Sequence, residues 1–196
     1  MKNDRPEEYL GDPYLYYTDD EVEQYANSNG MRRAQQKIAY RVLELLNLKP
    51  GSSLLDVGSG PGYTAEVYHA EGYNVVCMDL IPKMIDIARA KGFEAHVGDM
   101  RETEEVFKGQ KFDGVVSVSA LQWVKDKKEI QEVAKGMYSV LNSCGSLVIQ
   151  FYPKSEQELK VTAKVFSKNG FKGQMIVDWP EVPRKRTVYL VLKKVT

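Results

Sequence analysis

Asp56-Val57-Gly58-Ser59-Gly60-Pro61-Gly62 follows the apolar pair Leu54-Leu55 and leads directly into Tyr63-Thr64-Ala65-Glu66-Val67. A short apolar strand, a glycine-rich turn and a helix therefore stand in immediate succession. Glycine suits such a turn when a ligand must approach the backbone more closely than a Cβ allows. Open α/β sheets bind ligands beyond the carboxyl ends of their strands, where this turn lies. Taken alone, the loop is equally a tight turn that holds nothing.

Two further carboxylates bear on the choice. Asp79, followed by Leu80, ends the next apolar run and is placed to accept from both hydroxyls of a ribose. Asp99, in Val97-Gly98-Asp99-Met100, ends the third run and is placed to accept from an adenine amino group. Singly, each aspartate is a capping or turn residue; at the ends of successive strands, with Asp56, they point to a nucleoside. The glycine spacing Gly58-x-Gly60-x-Gly62 differs from the G-x-G-x-x-G of dinucleotide sites. Asp56, two residues ahead of Gly58, is unfavourable beside a pyrophosphate but suits the ammonium of a methionine moiety, directly or through water. The pattern thus predicts S-adenosylmethionine as cofactor. Its candidate ligands are Asp56, Gly58, Ser59, Gly60, Asp79, Leu80, Asp99 and Met100, with Ser117 from the fourth strand and Tyr25 from an N-terminal helix.

Outward from this turn, β and α segments alternate. Strands are expected at 54–57, 73–78, 93–97, 112–118, 145–151, 171–177 and 187–192, with helices at 63–71, 82–91, 127–141 and from Ser155 to Asn169-Gly170. This alternation predicts a parallel sheet covered on both faces, and the last two strands, joined only by a loop, an antiparallel pair. Ahead of the core at 50–196 come two helices within 19–49, the first capped by Thr18. An N-terminal arm, 1–18, is expected to be interrupted by Pro6 and Pro13 and to lie on the domain. One domain accounts for all 196 residues. With 43% hydrophobic and 28% charged residues the chain is of ordinary globular composition. Lys plus Arg and Asp plus Glu both number 27, so no global field marks a nucleic-acid binder. Cys77 and Cys144 are expected to be reduced core residues. With no signal peptide and no apolar run near the ~18 residues of a membrane span, a soluble cytoplasmic protein is expected.

The end of the fourth strand, Ser117-Val118-Ser119-Ala120-Leu121-Gln122-Trp123, lacks the Asn/Asp-Pro-Pro-Tyr/Phe motif of amino-group methylation. His69 is expected on a helix surface and His96 within the third strand, and neither cysteine is placed as a nucleophile. The absence of an obvious base suits a nucleophile with a free lone pair, such as guanine N7, for which in-line positioning suffices. Trp123, Tyr152 and Gln150 are the candidates at the reacting end. Trp123, Phe151 and Tyr152 either stack on a flipped base or pack in the core.

The stretch 54–62, Asp79 and Gly98-Asp99-Met100 resemble the first three motifs of class I S-adenosylmethionine-dependent methyltransferases. That resemblance implies a Rossmann-like α/β fold, its seven-stranded, mostly parallel sheet in the order 3-2-1-4-5-7-6 with the last strand antiparallel. Further stretches are similar to one family within that class. They include Arg5-Pro6-Glu7-Glu8, Tyr16-Tyr17-Thr18-Asp19-Asp20-Glu21, Gln35-Gln36-Lys37-Ile38, Ser-Ala-Leu-Gln-Trp at 119–123, Gln-Phe-Tyr-Pro-Lys at 150–154 and Gly170-Phe171-Lys172-Gly173. The family is that of the small-subunit rRNA guanine-N7 methyltransferases, the eukaryotic Williams–Beuren-region enzyme and its archaeal relatives. It implies methylation of rRNA during subunit maturation and a small zinc-binding activator protein that adds strands at the edge strand 93–97. The chain has no zinc-ligand pattern of its own. It departs from the family in lacking a basic C-terminal tail after Thr196 and in having Gly30 where the family has arginine.

Other readings of the same residues stay open. One is a tRNA wobble-uridine carboxymethyl ester or small-molecule methyltransferase of this fold; another is a ribosome-assembly factor whose catalysis is dispensable. Lys172, Arg184, Lys185 and Arg186 either contact phosphates or form a solvated edge.

Overall fold

The structure, a computed structural model, describes residues 6–195. Arg5 of the Arg5-Pro6-Glu7-Glu8 stretch and the terminal Thr196 lie outside the described residues. Four helices precede the sheet: α1 (Pro6–Tyr9), α2 (Pro13–Tyr16), α3 (Asp19–Asn27) and α4 (Asn29–Leu46). The core then runs β1 (Ser53–Val57), α5 (Tyr63–Ala70), β2 (Asn74–Asp79), α6 (Pro82–Ala90), β3 (Glu94–Val97), α7 (Thr103–Val106), β4 (Phe112–Val118), α8 (Lys127–Val140), β5 (Leu141–Phe151), α9 (Glu156–Lys168), β6 (Phe171–Asp178) and β7 (Thr187–Lys194). Single 3₁₀ turns at Met100–Glu102 and Leu121–Trp123 follow β3 and β4.

The strands form one sheet in the expected order β3-β2-β1-β4-β5-β7-β6. β1 to β5 pair in parallel, and β7 is antiparallel to both β5 and β6. Two core clusters show why the strands are apolar on both faces. Leu55, Val115, Leu147 and Ile149 pack with Val133, Met137 and Phe166 from α8 and α9. Their neighbours Leu54, Val116 and Val148 point the other way and pack with Ala39, Val42, Leu46 and Tyr68 from α4 and α5. This two-sided burial is the property of a covered parallel sheet.

Four local expectations differ from the structure. Pro6 and Pro13 do not exclude helix; each opens a one-turn helix, because proline's missing N–H has no intrahelical partner at a first position anyway. The second N-terminal helix, expected from about Arg32 to Leu46 on its apolar spacing, starts at Asn29, because Ser28 both closes α3 and caps α4, its Oγ accepting from Met31 N at 3.2 Å. β5 starts at Leu141, not Gly145. The ladder runs Phe112↔Leu141 and then Gly114↔Ser146, so extra β5 residues bulge out between these pairs. Cys144 sits in that bulge at φ +61° and is exposed, so it is not a core residue; Cys77, inside β2, is buried as expected.

Gly173 in β6 faces the backbone of β7: a Cβ there would lie 2.0 Å from Val191 O and 2.8 Å from Leu192 Cα. A strand backbone cannot yield as a side-chain tip does. Gly173→Ala is therefore expected to destabilise the chain by about 1–3 kcal/mol, the usual range for overpacking. Urea unfolding should show a lower midpoint at an unchanged slope.

Candidate functional site

A cavity of about 850 Å³ opens at the carboxyl ends of β1, β2, β3 and β4, roofed by the N-terminal helices. Its floor is the glycine turn. Gly58 N and Ser59 N both donate to Met78 O, at 2.7 and 3.0 Å, tying the turn to β2. Gly58 takes φ +77°, and a Cβ there would fall 2.3 Å from Ala120 Cβ, so only glycine lets the first turn meet the end of β4. Gly60 lines the cavity at φ +55°, with open space where a Cβ would stand.

Asp79 fastens the turn from the other side. One carboxylate oxygen accepts from Gly60 N at 2.8 Å and the other from Ile81 N at 2.9 Å. Burial pushes its pKa up, and these backbone donors act against that rise. Asp56 lies beneath the turn and does not line the cavity. Thr64 Oγ1 donates to one of its oxygens at 2.5 Å, while Oδ1 has no partner among the described residues. Burial raises its pKa to about 7; the Thr64 bond opposes this and the nearby Asp79 charge adds to it.

Asp99 lines the cavity at the end of β3, where Arg101 brackets it. Arg101 Nε donates to one oxygen at 2.9 Å and Nη2 to the other at 2.5 Å, and Nη1 reaches Glu129 in α8 at 2.6 Å. Partial burial works to raise the Asp99 pKa, but the arginine and its backbone N–H hold it below the ordinary carboxylate value. Leu80 and Met100 also line the cavity. Leu80 O accepts from Tyr14 Oη at 3.3 Å, which draws the N-terminal segment across the pocket.

The roof is aromatic. Tyr25 stacks on Tyr63 at 5.8 Å between centroids, and Tyr63 Oη donates to Tyr25 O at 2.9 Å. Tyr17 lies edge-on to Tyr25, and Trp123 packs against Tyr16 and Tyr17 at 6.0 and 5.9 Å. Burial pushes the Tyr17 and Tyr25 hydroxyls well above the ordinary tyrosine value, so both are neutral donors. Val22 on α3 packs with Ile81 and Met84 on the α6 side, and Lys83 pairs with Glu23 at 2.6 Å, holding α3 over the pocket.

At the β4 end, Ser119 takes φ +55° and is clamped by Gln150 of β5, whose Oε1 accepts from Ser119 N at 3.1 Å and Oγ at 2.9 Å. Gln35 Nε2 donates to the same Oγ at 3.5 Å. Gln122 Nε2 donates to Ser119 O at 3.0 Å, while the buried Gln122 Oε1, in the cavity wall, has no partner among the described residues.

Of the sequence candidates, Gly58, Ser59, Gly60, Asp79, Leu80, Asp99, Met100, Tyr25, Trp123 and Tyr152 share this cavity. Asp56, Ser117 and Gln150 are fully buried behind its wall. Ser117 is a β4 residue facing the interior, and Gln150 hydrogen-bonds to Ser119 in the cavity wall. Lys172, grouped above with the basic residues 184–186, belongs elsewhere: it is the second residue of β6, roughly 20 Å by strand rise from that strand's far end. Gln35, Gln122 and Ser119 were not singled out by role, although each falls in a stretch quoted for the resemblance. Arg101 carried no sequence signal, because its function is visible only in its partner.

Comparison with known proteins follows the same lines. A family described as a methyltransferase domain matches residues 55–149. The 18S rRNA (guanine(1575)-N(7))-methyltransferase of Saccharomyces cerevisiae is 34% identical over 188 residues, covering 90% of this chain and 68% of that protein. The 18S rRNA (guanine-N(7))-methyltransferase of Mus musculus is 32% identical over 200 residues, covering 96% and 71%. Among solved structures, a TehB-like S-adenosylmethionine-dependent methyltransferase of Corynebacterium glutamicum superposes with TM-score 0.70 at 20% identity, covering 90% of this chain and 100% of that one. Phosphoethanolamine N-methyltransferase 2 of Haemonchus contortus gives TM-score 0.73 at 18% identity, covering 93% and 59%. At these identities the structures establish the fold alone.

The buried Asp56 sets a pH dependence. Its pKa is raised from the ordinary 3.8 to about 7 in the folded chain. Between those values the folded chain keeps a proton that the unfolded chain has lost. Its contribution to stability is therefore full below about pH 4, declines as pH rises toward 7 and changes no further above that. Asp56→Asn removes this group. Thermal unfolding followed from pH 4 to 7 is expected to show a shallower decline in the variant than in the parent protein.

Proposed function

The chain belongs to the family of 18S rRNA guanine-N7 methyltransferases, and we propose that it transfers a methyl group to N7 of a guanine in small-subunit rRNA. Its cofactor is S-adenosylmethionine, which when bound supplies an electrophilic methyl group on a sulfonium centre. The residues present fit that cofactor. Asp79 and Asp99 present carboxylates at the ends of β2 and β3 for the ribose and adenine, and Gly60 offers an open backbone face. Asp56, with an orphaned oxygen and a raised pKa, gains most from a nearby cation, which would draw it into its charged form.

The observation that carries the acceptor assignment is the wall opposite the cofactor residues. Ala120, against Gly58, starts the turn that carries Gln122 and Trp123, and Trp123 packs with Tyr16 and Tyr17. Such a wall can hold a flat, flipped-out base. Guanine N7 carries a free lone pair, so no residue has to remove a proton before attack. The protein's work is then orientation: Gln150 and Gln35 fix Ser119, Gln122 follows from it, and the aromatic roof excludes water.

A zinc-binding activator subunit is part of the same proposal. β3 is an outermost strand of the sheet, pairing with β2 alone among the described strands, and Val97 at its end is 42% exposed. Such an edge accepts an added strand from a partner. The zinc in this reading is the partner's own; among the described residues of this chain no group of three or more His, Cys, Asp or Glu is arranged to hold a metal. No described helix is long and apolar enough to cross a membrane.

The test is transfer of labelled methyl from S-adenosylmethionine to small-subunit rRNA, with and without the activator, followed by N7-selective strand cleavage. Label at one cleavable guanine, dependent on the activator, is the expected result. Label in tRNA or small metabolites but not in small-subunit rRNA would overturn the assignment. Asp79→Ala should raise the cofactor KM at least tenfold, about 1.4 kcal/mol, by removing the carboxylate that shapes Gly60 and meets the ribose. If cells keep normal subunit assembly with this variant while losing methylation, the assembly role is separate from turnover.

A further inference from the structure

The segment between β6 and β7, Trp179-Pro180-Glu181-Val182-Pro183-Arg184-Lys185-Arg186, has no part in the cavity. Trp179 is 61% exposed, unusual for the largest apolar side chain, and its φ is +56°. A bulky residue seldom adopts that region, and one preceding proline is normally extended. The conformation is nonetheless firmly built. Val182 N donates to Trp179 O at 3.0 Å, and Lys185 N and Arg186 N donate to Val182 O at 2.8 and 2.9 Å, giving two successive turns stiffened by Pro180 and Pro183. Beneath it, Arg41 of α4 grips Asp178 with Nε to Oδ2 at 2.9 Å and Nη2 to Oδ1 at 3.1 Å. Strain held in place by its surroundings at an exposed aromatic points to use rather than to folding.

The chemistry around the ring is cationic. Lys185 Nζ stands 5.7 Å from the Trp179 ring centroid, with Arg184 exposed and Arg186 half-buried beside it. Three bases stand against one acid, Glu181, and none of the three bases is in an ion pair among the described residues. Sheet register fixes the location. Phe151 of β5 pairs with Val188 of β7, which pairs with Val177 of β6, so the Asp178–Trp179 end lies roughly 10 Å across the sheet from Phe151-Tyr152 at the cavity. β6 runs in the same direction as β5, so Trp179 emerges on the same edge as the cofactor turn.

We propose that residues 179–186 form a docking platform for single-stranded RNA beside the methyl-transfer cavity: an unpaired base stacks on Trp179 while Arg184, Lys185 and Arg186 contact the flanking phosphates. The inference rests on the RNA reading above, and it names a second contact remote from the reacting base. An exposed ring with three unpaired cations suits a base-plus-phosphate ligand, because every base offers a π-face and every linkage a charge.

The probe is a fluorescent 12-nucleotide oligo(U), added to the full chain bound to its activator. Trp179→Ala is expected to weaken binding about tenfold, with Trp179→Phe retaining most of the affinity. The triple variant Arg184→Ala, Lys185→Ala, Arg186→Ala should lower the slope of log affinity against log salt by about two to three. S-adenosylmethionine affinity should stay unchanged in all of them. Trp179→Gly relieves the positive φ and is expected to melt no lower than the parent while binding oligo(U) as weakly as Trp179→Ala, which separates loss of contact from loss of fold. If the parent methylates rRNA and these variants bind oligo(U) as it does, the platform is wrong while the function stands. If the variants instead lose only the activator, the surface belongs to a protein and the proposal is overturned. If the parent neither binds nor methylates RNA, the functional reading itself fails.

Discussion

A half-buried carboxylate at the end of β2 holds the first crossover of the sheet together. Asp79 accepts from Gly60 N on one side and Ile81 N on the other, while the adjacent Met78 carbonyl takes both Gly58 N and Ser59 N. Four backbone donors of two loops that would otherwise be stranded at strand ends are thereby satisfied, at the cost of partly burying an acid. The turn cannot drift, so Gly58 meets Ala120 and β1 stays in step with β4. The cavity floor, the β4 end and the entry of α6 are all placed from this one knot. The same oxygens remain at the edge of the cavity, so the group that shapes the site is also positioned to meet a ligand.

Electrostatics divide the site's three aspartates into distinct states. Asp56, buried with one weakly opposing donor, is pushed to about 7. Asp79 is also raised by burial, against its backbone donors, and Asp99 is held low by Arg101. Burial thus favours the neutral form of Asp56, whereas Asp99 keeps its charge. The Arg101 bracket, continued to Glu129 of α8, gives the end of β3 a fixed carboxylate whose state does not change near neutrality.

The two ends of the cavity differ in what they demand of the backbone. At the cofactor end the need is close approach, met by glycines at positive φ. At the β4 end it is rigidity: Ser119 is held in the left-handed region by Gln150 and Gln35, and the turn carrying Gln122 and Trp123 begins from that fixed point. The aromatic roof of Tyr16, Tyr17 and Tyr25 comes from the N-terminal segment, pinned by Tyr14 to Leu80 and by Lys83 to α3. The cavity walls are therefore assembled from segments more than a hundred residues apart, with no single motif containing them.

The sequence by itself determined the alternation of strands and helices, the strand order implied by its motifs, and the positions of Asp56, Asp79 and Asp99 at strand ends. The alternation and the strand-end positions are local facts, carried by hydrophobic period, glycine and capping residues within a few positions of each other; the strand order came only from the family resemblance. Only the tertiary structure decided what those residues touch. It put Asp56 beneath the turn instead of in the cavity, gave Asp99 an arginine partner with no sequence signal, and made Gln150 a support for Ser119. It also exposed Cys144 in a bulge that strand periodicity does not reveal, and parted Lys172 from residues 184–186 by the length of β6. Contacts of this kind follow from sheet register and from which loops meet at a strand end, and neither is encoded in a short window, because each is settled by the packing of the whole sheet against its helices.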